Sequence, residues 1–396
     1  MSGLRERLER LAGPSKPARS PGAGRDRAIP AGFCAGDESD VVYRRTTFHR
    51  RNHSGLDLIN EMQLLGAEEP PEDPTDIVLL DLETTGLSRG VGTLPFLAGT
   101  ATLDEEGVEV VQYFLSDPGG EHAYLEAVSK RLEEYDHLIT FNGKSFDLPL
   151  LENRYTLNRM KPPRFRGHSD LLPPARRLWS RTLSSCSLIS LEEHILARPR
   201  SSDIPGSEIP ARYFDYLAGG PIEMVDEIVH HNELDLLATA DLLFCMLRPL
   251  REPTASGEHL AIARMASKCR RSDLAQRQLE KAASRAVGDR DYLAALRELG
   301  LLWRRRGDYR KAASFWRPAV ELVEAGIVPP YPVTEAHVEM AKYAEHKLRD
   351  FDMALDYTKR ALTLLEPRSS QFAPEIAELE YRRDRLIRRM RNREVK

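Results

Sequence analysis

Cysteine is scarce: Cys34, Cys186, Cys245 and Cys269 are the only four in 396 residues, and they fall at no disulfide-like or metal-ligand spacing. A disulfide scaffold is excluded, and the pattern suits a reducing cytoplasm. Long apolar runs are missing, and none approaches the roughly 18 residues that a membrane-spanning helix needs. The N-terminus, Met1 to Arg10, is charged throughout and lacks the apolar core of a secretory signal. An excess of positive charge is also absent, since 57 basic and 61 acidic residues leave a net charge of −4. Overall charge therefore does not announce a nucleic-acid binder. What remains is 41% hydrophobic and 30% charged, ordinary for a soluble globular chain long enough for two or three domains.

Residues 1–40 read as a flexible basic segment, with Leu4, Leu8 and Leu11 on one face of a short helix over 1–12 and a Pro-, Gly-, Ser- and Arg-rich linker after it. Residues 41–75 form an ordered extension, with a strand at Val41–Tyr43 and a helix from Leu56 to Leu65. Residues 76–250 read as one α/β domain. Ile77 to Leu82 is a near-continuous apolar run, the mark of a strand covered on both faces. Phe96–Leu103 and Val108–Leu115 form a hairpin about the turn 104–107, so three strands make an antiparallel meander. Helices are expected over Glu121–Glu134, Leu148–Leu157 and Ile222–Leu247, with a strand at His137–Phe141, a further ordered stretch at Leu171–Trp179 and a capping box at Ser190-x-x-Glu193. Beyond Pro253 only helical patterns occur, and they repeat. Three helical pairs over 257–366 carry turns at Ser272-Asp273, Gly307-Asp308 and Arg349-Asp350, with Ala312 and Ala354 four residues after the turn aspartate. Residues 367–396 make a C-terminal helix with a basic tail. That tail and the basic stretch 161–181 are each either a phosphate footprint or a solvated face.

Chemistry gathers in three places. In Leu79-Leu80-Asp81-Leu82-Glu83-Thr84-Thr85-Gly86-Leu87, strand periodicity sends Asp81 and Glu83 to one face together. Two like charges so close raise each other's pKa unless a cation lies between them, and oxygen-only donors suit Mg²⁺ or Mn²⁺. In Phe141-Asn142-Gly143-Lys144-Ser145-Phe146-Asp147, the acid follows a buried strand, where α/β sheets place ligands; it is equally suited to cap the helix after it. In His230-His231-Asn232-Glu233-Leu234-Asp235, a helix puts His231 on the face of Asp235. Asp170, before Leu171-Leu172-Pro173, is a fifth acid or an N-cap. Arg177 and Trp179 either face a nucleic-acid strand or pack within the fold.

In this order, Asp81-x-Glu83, Asn142-x4-Asp147 and His231-x3-Asp235 resemble the three exonuclease motifs of the DEDD superfamily. The fuller strings around them, with Asp170-Leu-Leu-Pro-Pro-Ala-Arg-Arg-Leu-Trp179 and Asp203-Ile-Pro-Gly206, resemble bacterial ribonuclease H-like domain proteins over about residues 76–248. The resemblance implies a mixed sheet flanked by helices. It implies metal-dependent hydrolysis of DNA or RNA, most specifically 3′–5′ exonuclease action with two Mg²⁺ or Mn²⁺ ions held by Asp81, Glu83, Asp147 and Asp235. Thr84, Thr85 and Leu87 would meet the terminal nucleotide, with Asn142, Lys144 and Arg177 also on the substrate. The third motif departs from the best-known branches: His231 stands where one has Tyr, and His230 where another has His. Either could be the base, with His231 favoured by the helix geometry. The helical pairs resemble tetratricopeptide repeats, which implies a protein partner. A catalytically weak binding protein or an interaction scaffold is the rival reading.

Overall fold

The structure is a computed structural model that describes residues 28–36, 39–49, 61–67, 69–86, 92–104, 107–201, 203–366 and 371–394. The helix expected over 1–12, the basic linker after it, Leu87 and most of the helix expected from Leu56 lie outside the described residues. The residues fall into two compact units. The first combines Met1–Gly55, Pro71–His168 and Arg198–Asp241, and the second Leu56–Pro70, Ser169–Ala197 and Leu242–Lys396.

Seven described strands form one mixed sheet: β1 (Cys34–Gly36), β2 (Ser39–His49), β3 (Ile77–Thr84), β4 (Pro95–Leu103), β5 (Gly107–Phe114), β6 (His137–Thr140) and β7 (Gly167–Asp170), in spatial order β1-β2-β5-β4-β3-β6-β7. The expected meander is present, because β3 pairs antiparallel with β4 and β4 with β5. β3 also pairs in parallel with β6, so its apolar run sits between strands on both sides. Helices follow: α1 (Glu121–Leu132), α2 (Asp147–Leu157), α3 (Leu172–Trp179), α4 (Leu188–His194), α5 (Ile209–Leu217) and α6 (Glu223–Arg251).

In the first unit, Val78, Leu80 and Leu82 of β3 join Phe96 and Ala98 of β4 in a core with Leu125 and Val128 of α1. Phe96 stacks on Tyr213 of α5 with ring centroids 3.9 Å apart. The alternate residues of β3, Leu79, Asp81 and Glu83, turn to the other face. Across that face a row of residues crosses four strands in register: Asp81 opposite Gly99, Gly99 opposite Gln112, Gln112 opposite Arg44. α6 docks on this row. Gln112 donates to the Val229 carbonyl and to Asn232, each at 2.8 Å, and Arg44 pairs with Glu233.

Two local expectations need correction. The cap of α4 is Ser187, whose hydroxyl accepts from Ser190 N, whereas Ser190 lies inside the helix and donates back to Ser185 O. Asp147 is the first residue of α2, and Phe146 occupies the N-cap position.

The second unit is helical beyond α6, with α7 (Ser256–Lys268), α8 (Ser272–Ser284), α9 (Asp289–Arg305), α10 (Tyr309–Glu324), α11 (Glu335–Tyr343), α12 (Phe351–Leu365) and α13 (Ala373–Glu394). Helical pairs stand where the repeating pattern put them. Asp308 and Asp350 cap α10 and α12 by accepting from Lys311 N and Met353 N, each at 2.9 Å, and Ala312 and Ala354 are wholly buried. Close approach of α9 and α10 depends on Gly300, where a Cβ would come within 2.2 Å of the Trp316 indole nitrogen. α3 packs on α7, and Arg181 pairs with Asp291 of α9. The basic tail is partly neutralised within this unit. Arg382, Arg385 and Arg389 of α13 all bond Glu345, which sits in the π-helical turn Ala344–Leu348 after α11.

Candidate active site

Asp81 and Glu83 leave β3 on the face that α6 covers, and Asp147, Asp203, Asp235 and Arg200 act on one or both of them. Glu83 is buried, and Asp81 is half-buried. Withdrawal from water, followed by the nearby charges of Asp235 and Asp147, pushes the Asp81 carboxyl well above its ordinary range. The same withdrawal, with Asp81, Asp235, Asp147 and Asp203 as neighbours, raises Glu83 likewise. Asp147 and Asp235 thus act on both acids of the first motif, and a fifth acid acts on Glu83. It is Asp203; the Asp170 carboxylate, in the second unit, accepts from Leu172 N at 3.0 Å at the head of α3.

Asp81, Asp235 and Asp203 are each held by a partner that strand and helix periodicity does not reveal. Asn232 donates its amide to Asp81 Oδ2 at 2.8 Å and to the Asp81 carbonyl at 3.2 Å, and is itself oriented by Gln112. Gly99 makes room for this bridge, since a Cβ there would lie 2.1 Å from Asn232 Oδ1 and 2.7 Å from a Leu236 methyl. Gly99→Ala should therefore cost about 1–3 kcal/mol, the range for overpacking a tight contact. A denaturation midpoint equal to wild type would show that Asn232 can move at no cost.

Arg200 joins Asp235 and Asp203, with 2.6 Å contacts to each. His231 is buried on α6, its Nδ1 2.8 Å from both oxygens of Asp203, while Nε2 lies 3.8 Å from Asp235 Oδ2 and 4.0 Å from Glu83 Oε1. His230 points elsewhere, exposed beside Glu233 at 3.6 Å. α6 already runs from Glu223, so residues 230–235 lie in continuous helix.

Beside the acids a cavity of about 230 Å³ is lined by Glu83, Thr84, Gly86, Phe146, Asp147, Leu150, Ile209 and Pro210. At its edge the Thr84 hydroxyl donates to the Gly86 carbonyl at 2.8 Å, and the next residue, Thr85, turns its Oγ1 to accept from Leu94 N at 2.9 Å. Phe146 offers it a large exposed ring. Asn142 takes a left-handed backbone, φ 69°, that turns the chain from β6 toward α2, and Lys144 lies close enough to His168 to disfavour its protonation. Arg177 belongs to the second unit, where its neighbour is Cys269.

Hard oxygen donors that outnumber the nearby cations, two of them held above their ordinary range, fit a divalent ion in chemistry. Among the described residues no three His, Cys, Asp or Glu side chains stand as a ready set of metal ligands. The acids are instead tied to Arg200, His231 and Asn232.

Comparison with known proteins gives the same direction. The model of the RNase H superfamily matches residues 78–246. The chain is 33% identical over 296 residues to the uncharacterized protein YprB of Bacillus subtilis (strain 168), covering 73% of this chain and 69% of that protein. Among solved structures it aligns with the family B DNA polymerase of the hyperthermophilic archaeon Pyrobaculum calidifontis at 15% identity and a TM-score of 0.37. That match covers 58% of this chain and 29% of the polymerase, a likeness too slight to carry an argument.

Proposed function

Because the chain belongs to the family of Bacillus subtilis YprB and carries an RNase H superfamily domain at residues 78–246, we propose that it hydrolyses phosphodiester bonds in nucleic acid as a metal-dependent 3′–5′ exonuclease of the DEDD kind. The observation that carries this reading is the convergence of Asp147 and Asp235 on Asp81 and Glu83, beside a cavity of about 230 Å³ that Glu83 and Asp147 line. Asp81, Glu83, Asp147 and Asp235 would hold the divalent ions, which supply charge compensation and polarise the phosphodiester.

The remaining work falls to side chains of this chain. His231 Nε2 takes a proton from the attacking water as the water oxygen bonds to phosphorus. The bond from phosphorus to the 3′-oxygen of the penultimate nucleotide breaks, and that oxygen takes a proton from solvent. The cavity between Thr84, Phe146 and Ile209 seats the terminal nucleoside, with the ring of Phe146 against the base. That contact is sequence-tolerant because every base has a π-face. Thr85, Asn142 and Lys144 would add substrate contacts. The helical pairs of the second unit, similar to tetratricopeptide repeats, would bind a protein partner.

A second reading has one observation behind it. Arg200 already neutralises Asp235, so the acids could be a structural cluster in a nucleic-acid-binding protein without catalysis. The two readings part on purified protein incubated with 5′-labelled single- and double-stranded DNA and RNA. With Mn²⁺ or Mg²⁺ a ladder of shortened products is expected, and with EDTA none. Binding without shortening under every metal condition would favour the second reading.

A further inference from the structure

We propose that Asp203 is a positioning residue that fixes the ring of His231 with its proton on Nδ1, leaving the Nε2 lone pair aimed between Glu83 and Asp235. This rests on the hydrolytic reading above for its consequence in turnover, but not for the state of the ring. The geometry is specific. Both oxygens of Asp203 lie 2.8 Å from Nδ1, and a carboxylate accepts hydrogen bonds and donates none when ionised. The proton of a neutral ring must therefore be on Nδ1. Nε2, 3.8 Å from Asp235 Oδ2 and 4.0 Å from Glu83 Oε1, is beyond hydrogen-bond reach of both.

Asp203 is itself held firmly. Its Oδ2 takes Arg200 at 2.6 Å, and its Oδ1 takes Ile204 N at 2.9 Å. Its side chain is only 9% exposed. Burial opposes its charge, but the hydrogen bonds from Arg200 and His231 outweigh that and hold the carboxyl below its ordinary range. Arg200 spans Asp203 and Asp235, so the loop before α5 is clamped to the helix that carries the histidine.

The test uses the full chain with ¹⁵N-labelled histidine, free of metal, at about pH 8, above the ordinary imidazole range. The His231 resonances are assigned from their loss in His231→Gln. Wild type should show His231 as the Nδ1–H tautomer. Asp203→Asn keeps shape but leaves a single oxygen for Arg200 and Ile204 N to share, and it places an amide nitrogen, a donor, within reach of Nδ1. The ring should flip to Nε2–H. Turnover of an oligonucleotide at saturating Mn²⁺ should fall about a hundredfold, at the low end for a lost proton-transfer group, with KM within about twofold. In the His231→Gln background, Asp203→Asn should add nothing further, since it acts only through the ring. Mn²⁺ binding by calorimetry should persist and confirms a folded site. An unchanged tautomer in Asp203→Asn overturns the proposal, as does loss of Mn²⁺ binding, which would make Asp203 a ligand. If wild type hydrolyses nothing, the proposed function falls and the tautomer still decides this inference.

Discussion

Replacing Asp81 by Asn and Glu83 by Gln together is expected to lower hydrolysis about a thousandfold or more, matching the several kcal/mol of charge stabilisation that a divalent ion supplies. The metal-free protein should meanwhile be at least as stable as wild type. Both carboxyls are held above their ordinary range, first by withdrawal from water and then by the charges of Asp235 and Asp147, with Asp81 adding to those on Glu83. For an acid raised on folding, the stability present below its unfolded pKa is lost as pH rises through the folded one. The amides undergo no such loss. The melting temperature of the double variant should therefore draw level with or pass wild type, and the gap should widen upward from the ordinary carboxylate range. Asn232 keeps an oxygen to donate to in Asp81→Asn, so the bridge to α6 survives. Stabilisation by Mn²⁺ should shrink in the same protein. Hydrolysis near the wild-type rate would end the metal-dependent reading, whatever the melting curves show.

Removing Glu345 should be the most damaging single change in the second unit. Its carboxylate is wholly buried, and Arg382, Arg385 and Arg389 reach it at 2.9, 2.7 and 2.9 Å. These contacts fasten α13 to the π-helical turn that follows α11. Taking one partner out of a buried charged group costs about 3–5 kcal/mol, because the remaining charges are left uncompensated. Arg389 is half exposed and relaxes into water, so Arg382 should bear most of the loss. Glu345→Ala is expected at that cost in urea denaturation of the full chain. Glu345→Gln should cost somewhat less, since it keeps volume and one acceptor. A loss below about 1 kcal/mol for both would mean that apolar contacts such as Leu386 against Ala354 hold the helix instead.

How much of this was legible depended on whether the signal was periodic. The apolar run of β3, the hairpin of β4 and β5, and the helical pairs announced themselves because burial on one or both faces imposes a pattern on neighbouring residues. β7 did not, being four residues, Gly-His-Ser-Asp, without an apolar alternation. α5 was missed because Ile209-Pro210 reads as a turn, although proline suits the first turn of a helix. The acids could be read as a set only through their resemblance to known motifs. Their partners could not, because Arg200, Asp203 and Asn232 meet their acids through pairings up to 151 positions apart. Two faint traces existed: Gln112, a polar residue in an apolar strand, and Gly99, a glycine inside one, which often marks a close approach. Register turned these into a row, and register is not printed in one strand's sequence.

That row, capped by α6, has a consequence for the order in which the protein is made. Asp81 lies 154 positions before Asp235, and at a synthesis rate of about 5–20 residues per second roughly eight to thirty seconds separate their emergence. During that interval Gln112 lacks Asn232, Asp81 lacks the amide that orients it, and the second unit's segments 56–70 and 169–197 have already been produced without residues 242–396. Neither unit can be completed as the chain emerges from its N-terminus. A nascent chain halted before α6 would carry Asp81, Glu83 and Asp147 and still have no assembled site, so maturation is a late event that waits for a single helix.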